Sequence, residues 1–146
     1  MLELNLWENQ IPIKAVYAFC VEEVCRKYGL ARSEFDILMF LANNPKYDTA
    51  ADIVEIKRMT KSHVSTSIRN LEQNGYLTRH CSPGNRKVMH LSLCAKADGI
   101  ITEGRKALCS FGSIVFDGMS TEERAEFWSL IERMKKNINN YLEGKK

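Results

Sequence analysis

The sequence has no long apolar run. Its unbroken apolar runs, such as residues 15–21 and 37–42, fall far short of the roughly 18–20 residues a membrane span requires. Residues 1–10 contain two glutamates and no Lys or Arg, so a secretory leader, which starts basic and then turns apolar, is not expected. The five cysteines are odd in number and form no CxxC pair; a disulfide framework is therefore not expected, and a reducing cytoplasm is the simplest compartment. Glycine-rich phosphate loops, HExxH, GxSxG and a plausible pair of catalytic carboxylates are all missing. His63 stands beside Ser62 and near Ser65, but neighbours on an exposed helix do not build a water-excluded site. The expectation is a protein without catalytic residues, metal or cofactor.

What is present is one domain's worth of chain. Its 146 residues are 45% hydrophobic and 27% charged, which excludes general disorder. A chain of this size hides roughly 70% of the surface its unfolded form exposes.

Acidic residues are almost absent from one window. Residues 57–90 hold seven Lys/Arg (Lys57, Arg58, Lys61, Arg69, Arg79, Arg86, Lys87) and one acid, Glu72. That window is +6 and the remainder −3, although the formal net charge is only +3. All three histidines, His63, His80 and His90, also fall inside it. A basic segment within an otherwise acidic chain suits a polyanionic partner; a merely solvated basic face is the alternative.

Apolar spacing divides the chain into helices and one hairpin. Val16, Phe19, Cys20, Val24 and Tyr28 recur every three or four residues after Pro12, a helical stripe that Gly29 ends. Ser33 offers a cap with Asp36 three residues on, and the helix over 34–42 is almost wholly apolar. A third helix is expected over 49–58, capped by Thr49, with Ile53 and Ile56 apolar at i, i+3. A fourth is expected over 61–74, capped by Thr60 and stopped by Gly75. Strands over 76–80 and 87–93 flank Ser82-Pro83-Gly84-Asn85, which predicts a hairpin. Helical patterning over 95–117 carries Gly99, Gly104 and Gly112, which mark either close packing or breaks. Ser120 and Glu123 form a capping box for a last helix, along which Phe127, Ile131, Met134, Ile138 and Tyr141 repeat at 4-3-4-3 spacing.

The fourth helix carries the chemistry. With Val64 inward and about 100° per residue, Val64, Ile68 and Leu71 share one face. Ser62, Thr66, Arg69 and Gln73 lie opposite, with His63 and Asn70 beside them. This outward face is polar, small at its N-terminal end and free of acids. Such a face can enter a major groove and donate to phosphates and base edges. Asn85-Arg86-Lys87 sits at the hairpin tip, and arginine suits a narrow minor groove.

Residues 61–77, with Lys61-Ser62, Val64-Ser65, Leu71-Glu72 and Gly75-Tyr76-Leu77, resemble the recognition helix and following turn of MarR-family transcriptional regulators. Asn85-Arg86-Lys87 and the alternating residues after it resemble that family's wing. The resemblance extends to length and helix order. It implies a mostly α fold with a small β-hairpin wing: a winged helix-turn-helix over 30–93, flanked by N- and C-terminal dimerisation helices over 1–29 and 94–146, in a single domain over 1–146. It also implies a homodimer that binds a pseudopalindromic operator and represses. Ser62, His63, Ser65, Thr66 and Arg69 would meet the major groove and Arg86 with Lys87 the minor groove or phosphates. Arg58 and Lys61 would be further phosphate contacts, and the seam from Phe127 to Tyr141 would lie at the dimer interface. Two features depart from the family pattern: Asn85 replaces the wing aspartate, and Arg58 occupies a turn position that is often glycine.

Other readings rest on single features. Cys20 and Cys25 are five residues apart, about 140° around one helix, and cannot pair within it. Cys20, Cys94 and Cys109 read as core residues and Cys81 as exposed, so cysteine oxidation is a secondary alternative. His80 and His90 would converge across the hairpin but Cys81 would face away, too few ligands for zinc. The MarR resemblance also implies a small aromatic or phenolic effector, for which Trp7, Tyr17, Phe35, Phe40 and Tyr47 supply aromatic surface, or these residues are simply core. A winged helix used only for protein contacts would not need to exclude acids so thoroughly.

Overall fold

The computed structural model describes residues 2–145, with side chains from residue 5 onward. The elements run α1 (Leu2–Glu8), α2 (Gln10–Tyr28), α3 (Arg32–Asn43), α4 (Ala50–Lys57), α5 (Lys61–Gln73), β1 (Leu77–Ser82), β2 (Asn85–Leu93), α6 (Asp98–Val115) and α7 (Thr121–Glu143). The fold is thus mostly helical with one antiparallel hairpin. The chain divides into two compact units, residues 1–111 and 112–146.

In the first unit, α3 is the central element. Phe35, Ile37 and Leu38 are fully buried, and Met39, Phe40 and Leu41 nearly so, as its apolar composition predicts. Each such side chain contributes about 1.5–3 kcal/mol by leaving water. Ile53 from α4, Val64 and Leu71 from α5, Leu77 from β1, Ile100 from α6 and Val21 from α2 complete this core. Gly29, at φ 64°, turns the chain from α2 into α3, a left-handed conformation with no steric cost for glycine.

Several expectations are corrected. Val24 is buried but Phe19 is 76% exposed, so the inward face of α2 runs through Val21 and Val24 instead of Phe19. Ser33 does not cap α3. The cap position is Ala31, and Ser33 lies inside the first turn with Oγ 3.0 Å from Ser67 Oγ. Asp36 accepts a hydrogen bond from the Tyr17 hydroxyl at 2.5 Å; burial and this neighbour push the Tyr17 phenol upward from its ordinary pKa. Ile56 is exposed on α4 while Ile53 is fully buried. Cys109 is exposed instead of core, whereas Cys20, Cys25 and Cys94 are half-buried and Cys81 is exposed as expected. Phe35 and Phe40 are core, and Trp7 is 72% exposed.

The glycines of α6 do not break it. A Cβ on Gly104 would lie 2.6 Å from Met39 Sδ and 2.9 Å from Phe35, and one on Gly99 would lie 2.9 Å from the Tyr28 hydroxyl oxygen. Helix α6 therefore approaches α2 and α3 more closely than any side chain would permit, which answers the choice between packing and breaks at these two positions.

In the second unit, Ser120 and Glu123 form the expected capping box. Phe116, Phe127 and Trp128 cluster with ring centroids 5.3–5.7 Å apart. No residue of α7 is buried. Of the predicted seam, Phe127, Met134, Ile138 and Tyr141 are exposed, and Ile131 is half-buried.

Candidate nucleic-acid interface

Helices α4 and α5 are joined by Arg58-Met59-Thr60. Thr49 caps α4 through a reciprocal box with Asp52. Thr60 caps α5 by accepting from the His63 backbone N–H at 3.2 Å. Two capped helices separated by three residues form a tight helix-turn-helix, and the sharp bend falls on Arg58, at φ 54° and ψ 40°. It is the one non-glycine residue at positive φ among those described. The unusual turn position noted in the sequence is thus a left-handed arginine, which costs about 1–2 kcal/mol relative to a right-handed conformation.

Helix α5 buries Val64, Ser67, Ile68 and Leu71. Ser62, His63, Ser65, Thr66 and Arg69 are all exposed on the other side, together with Lys61. All five residues assigned to the major groove thus share one exposed surface that carries no acid. Asn70 is different: it is half-buried and donates from Nδ2 to Glu34 Oε1 at 3.2 Å, satisfying a buried carboxylate of α3. Ser67, paired with Ser33, likewise looks inward. The sole acid of the basic window, Glu72, is held by Arg79 at 3.2 Å and does not disturb the outward face. At the end of α5, Lys96 Nζ donates to the Asn74 carbonyl at 2.7 Å, placing a cation at the helix C-terminus.

The hairpin pairs Leu77 with Leu93, His80 with His90 and Cys81 with Met89, and its register shifts between Cys81 and Ser82. Pro83-Gly84 makes the turn, with Gly84 at φ 84°. At the tip, Asn85 Oδ1 accepts from the Lys87 backbone N–H at 3.1 Å. The residue that replaces the family's wing aspartate therefore still organises the turn through a side-chain oxygen. Arg86 and Lys87 are exposed there.

The sequence gives no signal for how the wing is anchored. His90 Nδ1 lies 2.8 Å from Asp48 Oδ1, and the Leu91 N–H donates to the Asp48 carbonyl at 2.7 Å. Thr49 forms a bridge with His90. The segment that caps α4 thereby extends the hairpin at its edge. His80 and His90 stack with centroids 5.7 Å apart, as the predicted pairing requires, while Cys81 faces Met89 on the opposite side. Among the described residues no cluster of three metal-ligating side chains occurs.

Residues 28–87 match the sequence model of the MarR family. The HTH-type transcriptional regulator PecS of Dickeya dadantii is 25% identical over 122 residues, covering 82% of this chain and 74% of PecS. A MarR-family regulator from Listeria monocytogenes, solved in complex with 26mer DNA, superposes with a TM-score of 0.82 at 19% identity, covering 92% of this chain and 89% of that one. The transcriptional regulator SlyA superposes with a TM-score of 0.81 at 19% identity, covering 97% of this chain and 98% of that one. The structural matches establish the fold, and the sequence match falls on the helix-turn-helix and hairpin described above. Over residues 28–87 the chain is similar to the MarR family, and its fold is that of the solved MarR-family winged-helix proteins.

Proposed function

We propose that this protein regulates transcription as a homodimer that binds a pseudopalindromic operator, with α5 in the major groove and the hairpin tip on the minor groove or adjacent phosphates. One observation carries the reading: Ser62, His63, Ser65, Thr66 and Arg69 form a single exposed face, free of acids, on a helix whose other face is locked into the core. Arg86 and Lys87 supply the second contact, and Arg58 and Lys61 the phosphate contacts beside α5. The Listeria protein, of the same fold, was solved in complex with 26mer DNA.

Dimerisation is supported by α7. Its apolar positions Phe127, Ile131, Met134, Ile138 and Tyr141 are spaced as a seam, yet none is buried within this chain. A second subunit would cover them and fix two half-sites about one helical turn apart. In this reading residues 30–93 are the DNA-binding part and residues 1–29 and 94–146 the dimerisation part. The protein acts in the cytoplasm as a repressor, released by a small aromatic or phenolic effector.

Selection of bound sequences from a random duplex pool by the full chain tests the proposal. An enriched inverted repeat with a fixed spacing supports it. An unstructured pool, or binding that ignores salt concentration, overturns it, because phosphate contacts must release counterions.

A further inference from the structure

A surface pocket of about 530 Å³ opens beside the first turn of α5. It lies between the start of α3 and the α4–α5 turn, and its charged and polar lining is Arg32, Ser33, Asp36, Lys57 and His63. None of the contacts assigned above uses Arg32, Ser33 or Lys57.

We propose that this pocket is an oxyanion site that seats a phosphate group. Two permanent cations, Arg32 and Lys57, face one carboxylate, and that carboxylate is already engaged by the Tyr17 hydroxyl at 2.5 Å. Arg32 is held in place by its guanidinium lying 5.1 Å from the centroid of the Tyr17 ring and by a bond to the Ala18 carbonyl. Its buried Nε has no partner. Among the described residues the Lys57 ammonium and the His63 ring have neither an ion pair nor a hydrogen bond, so both remain available to a ligand. The cap position of α3 is Ala31, whose side chain accepts nothing. Arg32 and Ser33, in the first turn of α3, line the pocket, and that turn has no side-chain capping oxygen. Planar or tetrahedral oxyanions meet such a set of donors better than any neutral ligand.

Two sources can supply the phosphate. One is the DNA backbone alongside the groove that α5 enters, a case that rests on the function proposed above. The other is a free phosphate-bearing small molecule. His63 belongs to both the pocket and the α5 surface, so an occupant of the pocket would sit at the edge of the DNA-facing side.

Lys57→Gln separates the possibilities, since Lys57 is exposed at the end of α4 and the substitution keeps a helix-compatible side chain. Two measurements on the full chain are needed. The first is the slope of log K against log salt for operator binding. The second is titration of the DNA-free protein with inorganic phosphate, followed through the His63 ring resonances. A slope that falls by about one in the variant supports the backbone source. An unchanged slope, with phosphate binding weakened roughly tenfold, supports the free-anion source. An unchanged slope with no phosphate response in the wild type, or with the same response in both proteins, overturns the pocket assignment. Absence of operator binding by the wild type defeats the DNA-binding proposal instead, and the phosphate titration then decides the pocket alone.

Discussion

His90 Nδ1 lies 2.8 Å from Asp48 Oδ1, so the second strand of the wing is fastened to the residue immediately before the cap of α4. The hairpin is therefore mechanically connected to the helix-turn-helix. Asp48→Ala should lower stability by about 0.5–1.5 kcal/mol, the ordinary worth of one partly exposed hydrogen bond. It should weaken operator binding by freeing the wing. Thermal denaturation and a binding isotherm on the same variant check this. A variant that binds as tightly as the wild type would show that the wing needs no such anchor.

The left-handed Arg58 gives opposite expectations for fold and function. Arg58→Gly relieves the positive φ of 54°, which is offset in part by the greater backbone freedom of glycine in the unfolded chain. The thermal midpoint should hold or rise slightly. If Arg58 meets a phosphate, the salt slope of operator binding falls by about one. Arg58→Val, β-branched and intolerant of this conformation, should be clearly destabilising.

Contacts to bases and contacts to phosphates should differ in kind. Thr66→Ala on the exposed face of α5 should change which sequences are enriched in a selection, at about 1–3 kcal/mol for the affected position. Arg86→Ala at the hairpin tip should weaken all sequences similarly. If neither variant departs from the wild type, α5 and the hairpin do not lie in the proposed grooves.

Two glycines of α6 should respond in opposite directions. Gly104→Ala places a methyl within 2.6 Å of Met39 Sδ and 2.9 Å of Phe35, overpacking that costs about 1–3 kcal/mol. Gly112 has nothing within 4 Å of a built Cβ. Gly112→Ala should therefore stabilise the helix by about 0.5–1 kcal/mol. Chemical denaturation of the two variants measures both signs.

Thiol reactivity should follow burial. Desolvation raises the Cys25 pKa, with the nearby Arg32 guanidinium opposing it only in part. At neutral pH Cys25 therefore holds less thiolate than an ordinary cysteine and should be alkylated slowly, speeding up only as pH rises into the alkaline range. The exposed Cys81 and Cys109 should react ahead of Cys25. Mass spectrometry of a timed alkylation gives the order, and early labelling of Cys25 would contradict its burial.

Much of the winged helix was legible in the residues themselves. The Thr49, Thr60 and Ser120 caps, the polar outward face of α5 and the hairpin about Pro83-Gly84 depend on chemistry within a few residues of chain. Local periodicity and turn chemistry report such features directly. Where capping was misjudged, tertiary contacts had claimed the side chain: Ser33 turned to Ser67, and Asp36 to Tyr17. Asn70 fell beside the outward face by angle alone, but the buried carboxylate of Glu34 drew it inward.

The sequence by itself determined the helix-turn-helix and hairpin, their order, the basic window with its single acid Glu72, and the resemblance to the MarR family. Tertiary structure alone decided that Gly99 and Gly104 serve close packing, that Asp48 fastens the wing through His90, and that Arg32, Ser33, Lys57 and His63 line one pocket. The reason is separation along the chain. Helix and turn signals are written within a few residues, whereas these contacts join residues that come near each other only when α3 and its neighbours pack into a common core.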